Sequence, residues 1–229
     1  KRVTARPLRA PDGWRHKGNV AVSGRDRGGN TEERTLRLDT RFEARKGPIR
    51  HIAPAHYDQT SSADIKTVDD RKATYQFDYF VSDKWFFNSN VSWEEDQFQE
   101  LESRTMLGAR VGYQFFDSEL IRLAVEVGPV LLREKYNTEA DRESAAIREN
   151  TELTVRLNSR GLEFFHRHTL LQSFDNGGDW RIESETGFGM SIIGNLKGQT
   201  MFEFDYNGNP AASASPLDRT WSFGLNYSW

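Results

Sequence analysis

The stretch Trp221-Ser222-Phe223-Gly224-Leu225-Asn226-Tyr227-Ser228-Trp229 decides the fold. Trp221, Phe223, Leu225, Tyr227 and Trp229 share one side; Ser222, Gly224, Asn226 and Ser228 share the other. Successive side chains of a β-strand point to opposite faces, so this segment has one wholly apolar face and one small polar face. The same period recurs upstream. Leu107, Ala109, Val111, Tyr113 and Phe115 oppose Gly108, Arg110, Gly112 and Gln114. Ile121, Leu123, Val125 and Val127 oppose Arg122, Ala124, Glu126 and Gly128. Leu153, Val155 and Leu157 oppose Glu152, Thr154, Arg156 and Asn158, and Leu36, Leu38 and Phe42 oppose Arg37, Asp39, Arg41 and Glu43.

Turn signals divide the chain into twelve such segments, at 16–24, 31–46, 48–58, 71–82, 85–95, 103–116, 120–134, 145–158, 162–174, 179–193, 196–207 and 218–229. Their connections alternate in kind. Lys46-Gly47-Pro48, Ser82-Asp83-Lys84, Phe116 to Glu119, Asn158 to Gly161 and Gly194-Asn195 are tight. Arg25 to Asn30, Gln59 to Asp70, Asp96 to Glu102, Lys135 to Ser144, Asp175 to Gly178 and Gly208 to Leu217 are mostly longer and more polar. In an up-and-down sheet alternate turns lie at the same end, so one end is trimmed and the other decorated. Outer-membrane barrels have that asymmetry.

Composition narrows the choice. The 229 residues carry 31 basic and 34 acidic side chains, a balance unlike that of proteins that neutralise nucleic-acid phosphates. Fifteen Phe, seven Tyr and six Trp mark a chain that folds. The absence of Cys excludes disulfides, thiolate metal sites and a Cys nucleophile. No run of about 18 apolar residues offers a transmembrane helix. No signal peptide is visible, and Lys1 opens a polar stretch as a processed N-terminus would.

A soluble sandwich alternates in the same way. Here, however, one face collects Arg37, Asp39, Arg41, Asp78, Arg110, Arg122, Glu126, Glu152, Arg156, Glu183, Glu185, Glu203 and Asp205. The other carries aromatics near strand ends: Trp85, Trp93, Tyr113, Phe115, Trp180, Tyr206, Trp221 and Trp229. Aromatic girdles, an even strand number and the need to satisfy every backbone group in lipid favour a closed antiparallel all-β transmembrane barrel of twelve strands. The first set of residues then lines the lumen as a pore or plug, and the second sits at the membrane interface. Residues 1–13 read as a flexible periplasmic arm and 14–229 as the barrel. Pro54 and Pro129 fall inside strands, where they suggest bulges or strand ends. The segment from Leu162 to Phe174 has no clean face.

The chain resembles the salt-induced outer-membrane proteins, a domain family of unknown function. The likeness rests on Trp14, Gly18, Ser23-Gly24 and Gly29-Asn30-Thr31, and most on Tyr75-Gln76-Phe77-Asp78-Tyr79-Phe80-Val81-Ser82, Trp93 to Gln99 and Gly112-Tyr113-Gln114-Phe115-Phe116-Asp117. Gly128, Phe165-His166-Arg167-His168 and the aromatic last strand extend it, whereas Arg25-Asp26-Arg27-Gly28 reads as an insertion in the first external loop. The resemblance implies a Gram-negative outer-membrane barrel and supplies no catalytic residues.

Chemistry-bearing residues have two readings each. Glu94-Glu95-Asp96, Asp69-Asp70, Glu183 with Glu185 and Glu203 with Asp205 could hold a divalent cation or simply face solvent and lumenal arginines. His166 and His168 share a face, a spacing that suits a metal, a packed pair or the base of a lipid hydrolase. Gly187 and Gly189 fall on the polar face and could leave room for a plug. The expectation is of a barrel that is not an enzyme, needs no cofactor or metal and binds no nucleic acid. It would have both termini in the periplasm and an envelope-structural or narrow channel role, with Arg122→Ala altering ion selectivity. A scaffold for an envelope protein partner, or a lipid-modifying enzyme, are the alternatives. Expected contacts are outer-membrane lipid and lipopolysaccharide, through the acidic loops, and the barrel-assembly machinery, through the last strand.

Overall fold

The computed structural model describes residues 12–27, 33–63, 65–99, 101–137, 140–158, 161–175, 177–210 and 215–229. Twelve strands follow one another: β1 Arg15–Arg27, β2 Glu33–Lys46, β3 Ile49–Ser62, β4 Ile65–Phe80, β5 Trp85–Asp96, β6 Leu101–Asp117, β7 Ile121–Tyr136, β8 Arg142–Arg156, β9 Leu162–Ser173, β10 Trp180–Ile193, β11 Leu196–Asn207 and β12 Leu217–Ser228. Each pairs antiparallel with its chain neighbours, and β1 pairs with β12 to close the barrel. The closing seam runs from Asn19↔Ser228 to Ser23↔Gly224, with Gly18 and Trp229 exchanging backbone hydrogen bonds of 3.0 and 2.9 Å. Closure leaves no sheet edge over that stretch, which is how a sheet satisfies its backbone without water.

The alternation sorts the side chains as the barrel requires. On β6, Leu107, Val111 and Phe115 are exposed on the outer face while Arg104, Met106, Arg110 and Gln114 are buried inside. Trp85, Tyr113 and Phe115 stack edge-on at the short-turn end, with centroids 4.7 Å apart at each step. Trp180 and Tyr206 meet at 4.5 Å at the long-loop end, so aromatics flank the apolar belt on both sides. Trp221 and Trp229 lie on the outer face of β12, and Trp93 on that of β5, all exposed. A side chain at Gly18 would collide with the Trp229 ring, so the glycine is what lets the last aromatic lie flat over the seam. Gly187 likewise makes way inside the barrel for the Phe165 ring, whereas a side chain at Gly189 would meet only the Gly198 carbonyl oxygen, at 4.0 Å.

Several expectations need correction. The connection from Gln59 to Asp70 is not a loop. β3 runs on to Ser62 and β4 starts at Ile65, with Gln59↔Asp69 and Thr60↔Val68 in register. The β-branched residues Thr60, Ile65, Thr67 and Val68 favour a pleated extension, and Thr35 Oγ1 and Thr60 Oγ1 lie 3.1 Å apart on the facing strands. Ala63, at φ 48°, takes the turn. Backbone from Arg25 to Arg27 belongs to β1 and not to the first loop. Pro54 and Pro129 produce neither bulges nor strand ends: Ile52↔Gln76 and Ala55↔Ala73 keep one register across Pro54, as Gly108↔Val130 and Val111↔Val127 do across Pro129. Each proline costs ladder bonds to one neighbour, while pairing on the other side, Arg41↔Pro54 and Pro129↔Ile147, is kept. The register shifts lie elsewhere, at Thr60/Ser61, Glu94/Asp96, Leu101/Ser103, Gln114/Phe116 and Ser191/Ile193. Most of the arm, residues 1–11, lies outside the described residues, as does the Gly28–Thr31 part of the first loop.

Candidate functional site

The lumen is lined from strands whose inward positions are nearly all polar, and it is filled unevenly. Along β4–β8 the inward side chains are buried, among them Asp78, Asn88, Asn90, Arg104, Arg110, Glu126, Glu134 and Arg148. Met106, Val130, Leu132, Ala146 and Leu171 make a small apolar cluster beside them. Toward the other end Phe80 and Phe86 pack at 4.9 Å, with the guanidinium of Arg45 over the Phe80 ring at 4.4 Å. Half-exposed inward groups, Arg41, Glu152, Glu183, Glu185 and Arg167, face what is left of the passage.

Ion pairs organise the buried wall. Asp78 is fully buried and accepts from Arg50 Nε at 2.6 Å, Asn88 Nδ2 at 2.6 Å and Gln76 Nε2 at 3.0 Å. Arg110 lies 3.1 Å from Glu126 and donates to Asn88 and Asn150. Glu134 is held between Arg104 and Arg181, each at 2.7 Å, and Arg104 also reaches Glu94 at 2.6 Å. Buried carboxylates persist only when paired in this way.

Two pairs do more than line the wall. Arg41 on β2 donates through both terminal nitrogens to Glu152 on β8, at 3.1 and 3.3 Å. Lys72 on β4 donates to Glu183 on β10 at 2.9 Å and approaches Glu94 at 3.4 Å. In a ring of twelve strands, β2 and β8 stand six places apart, as do β4 and β10. Each pair therefore spans the lumen from one wall to the opposite one. Arg37 adds a shorter chord: it pairs with Glu203 on β11 and, at 2.8 Å, with Asp39, which in turn meets His56 at 2.7 Å.

The remaining residues of the sequence-derived lumen set lie near this ladder or at its ends. Glu185 pairs with Arg167 at 2.8 Å, and Asp205 is exposed opposite Glu183 in the β10–β11 register. Arg122 and Arg156 stand at the short-turn mouth, exposed, around a recess they share with Thr154 and Glu163. Arg122 is thus at the rim, and the narrow part belongs to Arg41, Glu152, Lys72 and Glu183. Lys72, Glu134 and Arg181 were not singled out from sequence, and Glu94 was considered only as a cation ligand, although their strand parity places them inward. One member of each carboxylate pair considered for a cation is engaged by Lys or Arg: Asp69 by Lys66 at 2.7 Å, Glu94 by Arg104, Glu183 by Lys72 and Glu203 by Arg37. Among the described residues no three His, Asp or Glu side chains gather as metal ligands would.

A second polar group lies on the outside. His166 and His168 face outward from β9, with His166 Nε2 and His168 Nδ1 3.1 Å apart. His166 Nδ1 lies 2.7 Å from Thr186 Oγ1 on β10, and His168 Nε2 lies 3.0 Å from Glu149 Oε2 on β8. Thr151 donates its hydroxyl to Glu149 Oε1 at 2.5 Å. The ambiguous β9 segment thus has its histidine side outward and Glu163, Phe165, Arg167, Thr169 and Leu171 inward. Glu149 was legible too: it shares parity with Ile147, Leu153 and Val155, the apolar side of its strand.

The family of proteins of unknown function termed DUF481 matches this chain over residues 20–229. The chain belongs to that family. Two solved structures share the fold of this DUF481 member. The NanC porin is 11% identical, with 91% of this chain and 98% of the porin covered and a TM-score of 0.56. The translocator domain of the autotransporter NalP from Neisseria meningitidis is 13% identical, with 94% and 88% covered and a TM-score of 0.52. No curated protein matches the sequence. At such identities the likeness speaks for the architecture, a closed outer-membrane-type barrel, and leaves function to the site.

Proposed function

We propose that this protein is a narrow, charge-lined channel for small ions in the Gram-negative outer membrane, with both termini periplasmic and the lumen latched by its own ion pairs. The observation that carries this reading is the pair of wall-to-wall bridges, Arg41–Glu152 and Lys72–Glu183. Twelve strands enclose more space than side chains of an eight-stranded barrel must fill, and less than the open channel of a porin of 16–18 strands. Here the buried inward side chains of β4–β8 fill part of that space, and the bridges cross what is left. Their side chains are part-exposed within the lumen, so water and salt reach them. Exposed pairs of this kind contribute little stability, about 0–1 kcal/mol each, and salt screens them. Such a latch holds at low ionic strength and loosens at high, which fits the association with salt that the family resemblance implies.

Inward of the short-turn mouth, the part-exposed Glu152, Glu183, Glu185 and Asp205 face Arg41, Lys72 and Arg167, a local balance that favours cations. The lumenal His56 is engaged by the carboxylates of Asp39 and Asp70 and, among the described residues, by no hydroxyl, which supports a passive role over catalysis. The membrane contacts in this reading are lipid at the apolar belt, lipopolysaccharide at the decorated end and the assembly machinery at β12. Planar-bilayer recording of the folded protein tests it: discrete steps with a cation-favouring reversal potential in asymmetric salt are expected. Silence from protein whose folding is verified by heat-modifiable gel migration, at every salt concentration up to 1 M or so, would overturn it.

A further inference from the structure

The outer face of β8–β10 breaks the apolar belt at mid-height. Ile147, Leu170 and Ile182 lie on its long-loop side and Leu153, Phe164 and Phe188 on the other, yet Glu149, Thr151, His166, His168, Ser184 and Thr186 stand between them. A carboxylate in that position costs free energy in lipid, and an ionisable group inside a membrane is by default part of a site. Glu149 can only accept, so His168 donates from Nε2 and accepts at Nδ1; His166 then donates from Nε2 and accepts from Thr186 at Nδ1. The chain of bonds runs toward Glu149 and ends there. It leaves the carboxylate with acceptor capacity that one histidine and Thr151 do not exhaust. Ser184 sits beside His168 in the β9–β10 register and has no side-chain hydrogen bond to any described residue.

We propose that this patch is a self-association surface on which two copies pack β9 against β9 about a two-fold axis along the membrane normal. This rests on the membrane placement above but not on conductance. Three features select a second copy as the occupant. Two copies inserted the same way hold the patch at the same depth, so polar meets polar and the flanking apolar rows meet each other. Rotation about that axis sets β8 of each copy opposite β10 of the other, because an isologous contact exchanges the two flanks. It therefore brings the unfilled acceptor, Glu149, to the unpartnered donor, Ser184, and does so twice. Small hydroxyl side chains on both flanks, Thr151 and Thr186, let the barrels approach.

The chain has no cysteine, so an introduced one is its sole thiol. Leu170→Cys places a thiol on the outer face of β9 next to His168, and Ala55→Cys places one on β3, six strands away. Copper-phenanthroline oxidation in native outer membranes is expected to give a disulfide-linked homodimer from Leu170→Cys and not from Ala55→Cys, with heat-modifiable migration intact in both. Adding Glu149→Ala with Ser184→Ala to Leu170→Cys is expected to weaken dimerisation in detergent about tenfold, since two hydrogen bonds of the intramembrane kind are lost. Equal cross-linking from both positions, adducts with another protein only, or an unchanged dimer in the folded Glu149→Ala, Ser184→Ala variant would each overturn the proposal.

Discussion

Arg41 and Glu152 meet across the full width of the barrel. Their strands lie on opposite walls, and both terminal nitrogens of the guanidinium reach both carboxylate oxygens, at 3.1 and 3.3 Å. A bidentate pair fixes orientation as well as distance, so the two side chains form a strut. Lys72 and Glu183 make a second strut between another opposed pair of strands. Removing one is expected to widen the passage without disturbing the wall. Arg41→Ala should raise unit conductance severalfold and move the reversal potential further toward cations. Recording the variant in asymmetric salt checks both changes.

Ionic strength should act through the same struts. Screening shortens from about 10 Å at 0.1 M to about 3 Å at 1 M, which weakens pairs that water can reach. Conductance of the wild type is expected to rise more steeply than bulk conductivity over that range. In the double variant Arg41→Ala, Lys72→Met it should simply follow conductivity. A salt series on both proteins, plotted against bulk conductivity, separates the two behaviours.

The buried wall should respond differently from the struts. Asp78 is sealed from solvent and accepts three hydrogen bonds, one from Arg50. Asp78→Ala strands a buried guanidinium and is expected to cost about 3 kcal/mol or more. The midpoint of urea unfolding from lipid vesicles reads that loss, whereas Arg41→Ala should shift the same midpoint by less than about 1 kcal/mol.

Gly112 lies beneath the ring of Phe86, and any side chain there collides with it. Gly112→Val is expected to destabilise the barrel by about 1–3 kcal/mol through overpacking. Pairing it with Phe86→Leu should restore part of the loss, which the same unfolding assay would show.

Strand number, the strand faces and the outer aromatics were legible because alternation is a local property: Trp221 to Trp229 needs no partner to declare its two sides. The β3–β4 hairpin was not, since Gln59, Ser61, Ser62 and Asp69 look like a loop until the two strands are seen to pair. Arg41 and Glu152 were both expected in the lumen, but their meeting depends on where the barrel closes and how its strands are staggered, which no local pattern encodes. Lys72 was overlooked because it follows an acidic stretch that reads as solvent-exposed. Glu149 was overlooked for a related reason: it sits on the apolar side of its strand, where a charge is not expected, and only the histidines of β9 explain it.

The most direct test of the latched-channel account is single-channel recording of wild type beside Lys72→Met, each folded and at one low salt concentration. The account expects small, infrequent steps from the wild type and larger, more frequent, cation-selective steps from the variant. Identical traces from the two proteins would contradict it, because the Lys72–Glu183 strut would then not lie in the path of the ions.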